Sequence, residues 1–321
     1  MGLLAVRDMR GRQCSQRRSW GKAVTMHVWP ARALAAVFAT ALLLLALPDA
    51  RSAEPMPACA PLDPGPTRTV TRVIDGETLA LDDGTELRLV GALAPRALDV
   101  GAQPGTWPME TAAAQALQAL VLGKTIEVRF AGERNDRYGR LKGHAFIRTD
   151  DSAGWVQGLL LGMGLARAYT LAAHRACAAE LLAAERSARE ARLGLWAEAA
   201  YEARQADPSA PLLRHAGTFQ LVEGRAVRVA TTRSSIYINF GTQRRRGFSV
   251  SLKLSDRGQL GKFSDNPKGL EQALVRVRGW IEQRSGEPSI DLSTAGDIEV
   301  TAEGVASETA ERRTERRSRT K

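Results

Sequence analysis

Aromatic residues are scarce in this 321-residue chain, at 5%, which argues against a platform of stacked rings as its means of holding nucleobases. Histidine is scarcer still. His27, His144, His174 and His215 are scattered and show no ligand spacing with one another or with cysteine, so no zinc-type site is indicated. The apolar run at residues 33–47 falls short of the roughly 20 residues that a membrane-spanning helix needs. An excess of charge is missing from the middle of the chain as well. The net charge is +10, but residues 1–53 hold eight Lys or Arg against two Asp, and residues 310–321 hold six against two Glu, which accounts for all of it. Residues 54–309 are neutral overall, so charge alone predicts no partner. What remains is a chain of ordinary apolar content, 44%, and long enough for two small domains with cores of their own.

The run at 33–47 has the length of a signal-peptide h-region. Met26 opens MHVWPAR, a short n-region with one Arg, so Met26 is the expected start, with residues 1–25 a mis-called extension and cleavage near residues 50–53, where Ala50 and Ser52 are small. The alternative is an uncleaved anchor, the one membrane association that the sequence suggests. Export to the periplasm or beyond is the expectation, and cysteine usage agrees with it. Cys14 precedes the processing site, which leaves Cys59 and Cys177 as an even pair in an oxidising compartment, expected to be bridged; two unrelated thiols are the alternative.

Residues 54–68 are rich in Pro and small side chains and read as a leader. Short β-prone runs follow at 70–74, 78–81 and 87–90, punctuated by Asp75-Gly76 and by the hairpin signal Asp83-Gly84. An Ala- and Leu-rich helix is expected at 109–122, capped by Gly123, and two further strands at 124–130 and 141–147. Three strands, a helix and two strands is the order of a five-stranded OB-type barrel. Helices at 155–163 and 172–192 should close this domain, with Trp196 as a packed anchor and a helical continuation to residue 206. Asp207-Pro208 and Pro211 then break the chain.

Beyond the break the pattern alternates. Phe248, Val250, Leu252 and Leu254 share one face, and similar alternation surrounds Val227, Ile236 and Val275. With a short helix within 255–273, the order again suits an OB-like barrel. The fold class expected is therefore mainly β with α: a first barrel at 69–200, a helix end and linker at 201–216, a second OB-like domain at 217–302 and a disordered basic tail at 303–321, after the leader at 54–68 and signal region at 1–53. Arg244, Arg245 and Arg246 fall in a hairpin, and Arg276 and Arg278 are expected on the outward face of a strand. They could follow a phosphate backbone, or could equally be solvated surface charges.

Four blocks, VIDGET at 73–78, RLVGALAPR at 88–96, DRYGR at 136–140 and GLW at 194–196, resemble the staphylococcal-nuclease-like, or thermonuclease, family, which writes VIDGDT, RLxGIDAPE, DxYGR and GLW in that order. The resemblance implies the OB barrel, phosphodiester hydrolysis with a Ca²⁺ ion, two phosphate-gripping arginines at Arg88 and Arg140, and metal-side carboxylates at Asp75 and Glu77. Two positions depart from it. Leu93 stands where the family has a metal-binding Asp, and Arg96 where it has the catalytic Glu. Neither replacement can ligate a cation or accept a proton at physiological pH, and loss of a general base costs about 10²- to 10⁴-fold in rate. The expectation is an impaired nuclease fold with no cofactor that holds nucleic acid or another phosphate-bearing ligand at Arg88, Arg96 and Arg140. The alternatives are an active, Ca²⁺-dependent enzyme with a rearranged site, for which Glu110 or Asp99 would have to substitute, and a protein-interaction scaffold in which the arginines form a structural network with Asp75, Glu77 and Asp136.

Overall fold

In the computed structural model, residues 62–148, 153–170, 174, 176–241 and 247–302 are described. The signal region, Cys59, Arg244 to Arg246 and the basic tail lie outside them. Pro55–Lys321 clusters as one compact unit, mainly β with a few helices.

The first part runs β1 (Asp63–Asp75), β2 (Thr78–Leu81), β3 (Glu86–Leu89), β4 (Gly91–Leu93), α1 (Pro108–Val121), β5 (Thr125–Phe130), β6 (Leu141–Arg148), β7 (Ala153–Trp155), α2 (Val156–Gly162), β8 (Arg167–Tyr169) and α3 (Ala178–Glu190). One six-stranded sheet has the order β3-β2-β1-β5-β6-β7, and β3 pairs in addition with β6, in parallel. Alternation with Glu86 and Arg88 places Leu87 and Leu89 inside, where they are essentially fully buried together with Leu79, Leu81, Ile126 and Val128. Proline at N1 starts α1, and its inner positions Ala113, Leu117 and Val121 follow helical spacing onto the same core. Two glycines explain the GLW block. A side chain on Gly194 would sit 2.3 Å from the Gly164 carbonyl oxygen and one on Gly164 2.1 Å from that of Leu193, so only bare backbones can cross here, and Leu195 N–H donates to Gly164 O at 2.8 Å.

Several expected elements differ. The leader is partly a strand: β1 begins at Asp63, and Pro64 is tolerated because the β1–β5 register shifts between Pro64 and Thr67. Residues 197–206 do not continue a helix; β9 (Arg204–Gln205) pairs in parallel with β10 (Phe219–Arg225), so tertiary pairing overrides local helix propensity. The remainder is β11 (Arg228–Thr231), β12 (Ser235–Asn239), β13 (Ser249–Lys253), β14 (Leu274–Trp280), β15 (Glu282–Arg284), β16 (Glu287–Leu292) and β17 (Ile298–Ala302). They form two sheets, β17-β14-β10-β9 and β11-β12-β13-β16-β15. The helix expected within 255–273 is replaced by 3₁₀ segments at Leu254–Phe263 and Pro267–Leu270, because Gly261 adopts a non-helical conformation and Pro267 lacks a donor.

The two β parts are not joined by an open linker. A buried cluster draws Leu93, Ala188, Leu195 and Trp196 from the first part and Phe219 and Leu221 from the second, with Tyr201 between them in sequence. Trp196 thus anchors the junction. Buried polar contacts run beside it. Arg167 of β8 donates to the Asp99 carboxylate and to the Phe219 carbonyl, each at 2.5 Å. Glu185 of α3 pairs with Arg278 of β14 at 2.8 Å. The stretch at 201–216, expected as a helix end and linker, therefore runs beside a packed junction, because the second part covers apolar side chains of the first.

Candidate functional site

The turn between β1 and β2 builds the centre of the site. Asp75 Oδ1 accepts from Glu77 N–H at 2.8 Å, an Asx-type turn, and Gly76 is required because a side chain there would meet the Ala94 methyl at 2.7 Å. That close approach lets Ala94 N–H donate to Glu77 Oε2 at 3.3 Å. Glu77 is only 2% exposed. Its Oε1 forms an ion pair with Arg88 of β3 at 2.7 Å and accepts a hydrogen bond from Arg96. Burial alone would lower the Arg96 pKa, but the adjacent Glu77 charge outweighs it and holds the guanidinium above its ordinary value.

The DRYGR block forms a second arginine-carboxylate unit. Asp136 Oδ1 accepts from the Tyr138 and Arg140 backbone N–H groups, and Arg140 Nε donates to Asp136 Oδ2 at 2.7 Å. Desolvation pushes the Asp136 carboxyl up, yet Arg140 and these N–H donors prevail and leave it below its usual value. Both units face one cleft of about 700 Å³. Its lining holds five lysines or arginines against two carboxylates, Glu77 and Asp136. Three contributors were not anticipated from sequence. Arg137 sits inside DRYGR, Lys142 is paired in register with Arg88 across β6 and β3, and Tyr169 closes one wall. The alternation of β6, which puts Lys142 on the Arg88 side, was the available signal. His174, expected to be a surface or packing residue, also lines the cleft. Its Nδ1 lies 3.1 Å from the Ala131 carbonyl, and burial holds its pKa below the ordinary value.

Other candidates lie elsewhere. Leu93 points into the shared apolar cluster at 3% exposure. Asp99 is engaged by Arg167, and Glu110 Oε2 accepts from the Ala97 and Gly105 N–H groups at 3.0 and 3.1 Å, so neither substitutes for the departed carboxylates. Arg276 and Arg278 are not outward-facing. Arg278 is 2% exposed and is bound by Glu185 and Glu299, while Arg276 pairs with Glu223 at 2.5 Å and with Glu299 at 3.5 Å, because β14 presents this face to α3 and β17.

A calcium ion asks for several oxygen ligands around one point. Glu77 is covered by two guanidinium groups, Leu93 offers no oxygen, and no group of three His, Cys, Asp or Glu among the described residues could hold a metal. The donor set does not fit the ion. The arrangement can instead hold an anion, since Arg137 has no carboxylate partner among the described residues, and the other cations are anchored at one end with donors to spare.

This strand order and arginine-rich cleft agree with a nuclease-type fold. Residues 86–198 match the family described as Staphylococcal nuclease homologue. The match starts within β3 and ends just beyond Trp196, so it takes in three of the four blocks, while VIDGET lies ahead of it and the second β part lies outside it. No curated protein matches the chain.

Proposed function

We propose that the protein is an exported, catalytically impaired member of the nuclease fold that binds nucleic acid or another phosphate-bearing ligand in the cleft. The observation that carries this reading is Arg96 on Glu77: the guanidinium occupies the carboxylate that a metal would need, and it stands where the family places its general base. Loss of the base and of the metal ligand removes the two features on which hydrolysis depends, while the cations retain the geometry to take phosphate oxygens.

The strand pairings support an OB-type reading of both parts. In the first, β1, β2, β3, β6 and β5 pair in a cycle. In the second, β10 with β11 can be counted as one strand bent at residues 226–227, and β14 with β15 as one bent at Ile281. The order then becomes the same, including a parallel β13–β16 pair where the first part has β3–β6. Cys177 is buried at 3% exposure, and its bridge to Cys59 is part of this reading. Peptide mapping without reductant checks the pairing, and a free Cys59 in exported protein would exclude it.

The test of function is a nuclease assay on the purified chain with Ca²⁺, alongside equilibrium binding of a nucleoside bisphosphate. Background hydrolysis with measurable binding is expected, and Arg140→Ala should weaken that binding about tenfold or more. Robust turnover abolished by chelation would overturn the impairment. Absence of any phosphate binding would leave the arginines as a structural network.

A further inference from the structure

A second hollow, shallow and of about 580 Å³, lies far along the chain from the nuclease-type blocks, between the β11–β12 turn and the segment that leaves β13. Its polar lining is Arg233, Lys253 and Arg257 with serines 234, 235 and 255, and its apolar floor is Leu254. No carboxylate lines it. Asp256, the adjacent acid in sequence, is not part of the lining. None of the three cations has a carboxylate within ion-pair distance among the described residues, in contrast to Arg88, Arg96, Arg140 and Lys142 of the cleft.

The frame under these side chains is well tied. Thr232 N–H donates to Ser235 O at 2.8 Å, Ser235 N–H donates to Thr232 Oγ1 at 3.0 Å, and Leu254 N–H donates to Ser234 O at 2.8 Å. Ser235 and Lys253 are register partners across β12 and β13. The turn and the exit of β13 therefore keep a fixed relation, and three like charges converge on one hollow without a counter-charge. An anion there relieves their mutual repulsion.

We propose that this hollow is a second phosphate-binding site, which takes one backbone phosphate of a single-stranded nucleic acid. Guanidinium forks, an ammonium and serine hydroxyls match tetrahedral phosphate oxygens. The lining has no aromatic ring, so the contact is to backbone and is indifferent to base sequence. A shallow, open hollow lets a flexible chain pass across it. The site is independent of the cleft and stands or falls separately from it.

The experiment follows the binding of a labelled oligodeoxythymidine to the full chain across a range of salt concentrations. It compares the natural protein with a variant carrying Arg233→Ala, Lys253→Ala and Arg257→Ala. A control carries Arg72→Ala, Lys124→Ala and Arg148→Ala, which removes the same charge elsewhere. All six positions are exposed, so folding should be retained. At about 0.7 per neutralised phosphate for single strands, loss of this one phosphate contact should flatten the slope of log affinity against log salt by about 0.7, with a loss of affinity that is largest at low salt. The control should change little, and nucleoside bisphosphate binding in the cleft should be unaffected by the hollow variant. No oligonucleotide binding by the natural protein, an unchanged slope in the hollow variant, or equal losses in both variants would overturn the site. Retained oligonucleotide binding with loss of binding to anionic phospholipid vesicles would assign the hollow to a membrane instead.

Discussion

Leu93 shows how a single position can be decided twice, once by chemistry and once by packing. Its side chain cannot ligate a metal, and it also lies among Leu195, Trp196, Tyr201 and Phe219. The change Leu93→Asp with Arg96→Glu, which would restore the family's carboxylates, is therefore not expected to rebuild a metal site: it would bury an acid in an apolar cluster. Leu93→Ala should destabilise the fold by about 2–5 kcal/mol through the cavity it leaves. Leu93→Asp should cost more than Leu93→Ala, since a desolvated carboxyl is added to the lost packing. Denaturant midpoints of the two variants decide the order, and equal midpoints would place residue 93 in a solvated setting. His144 gives a second residue-level prediction. Burial first, and the nearby His174 second, push its pKa down to about 4, while its Nδ1 accepts from the Trp155 indole N–H at 3.3 Å. An unfolded histidine protonates near 6.5, so between about pH 6.5 and 4 the unfolded chain binds more protons than the folded one. This contribution is complete above that window and is lost as pH falls through it, up to about 3 kcal/mol. His144→Gln should remove this part of the pH dependence, measured as unfolding free energy at pH 7 and pH 4.5. An identical pH profile in the variant would contradict the assignment.

At the level of elements, α3 and β14 are joined through charge. Glu185 is fully buried, accepts from Arg278 and Arg189, and also accepts from the Ala168 N–H of β8 at 2.6 Å. For Arg278, desolvation opposes the charged form, and Glu185 and Glu299 outweigh it, so its pKa is held above the ordinary value. Removing one partner strands the other in a dry setting. Arg278→Leu and Glu185→Leu should each cost about 3–5 kcal/mol. The double variant should cost less than the sum of the two by about 1 kcal/mol or more, because the stranded charge is then absent. Additive losses in a double-mutant cycle would show that these charges act independently.

For the whole molecule, the shared cluster and the Arg167 and Arg278 contacts predict cooperative behaviour across residues 201–216. A chain nicked by limited proteolysis near residues 207–211 should stay associated in native buffer. Intact protein should unfold in one calorimetric transition whose van't Hoff and calorimetric enthalpies agree. Two stable fragments that separate without denaturant would contradict this, since a first part released alone would expose Leu93, Leu195 and Trp196 to water.

The sequence by itself determined the local order of the first part: the strands around Leu79 and Leu87, the helix opened by Pro108, and the turns at Asp75-Gly76 and Asp136 to Arg140. These depend on hydrophobic alternation, proline and glycine conformation and short-range hydrogen bonds, all of which act within a few residues and so leave a local signature. The match at residues 86–198 and the two departures at Leu93 and Arg96 were legible in the same way. Tertiary structure decided where the charges went. Glu77 meets Arg88 and Arg96 only after β2, β3 and the following loop have come together, and Arg278, outward by simple alternation, is turned to Glu185 by a helix almost a hundred residues away. An arginine carries the same side chain on a surface or in a buried pair. Which it becomes depends on a partner brought by long-range packing, and no spacing along the chain encodes that distance.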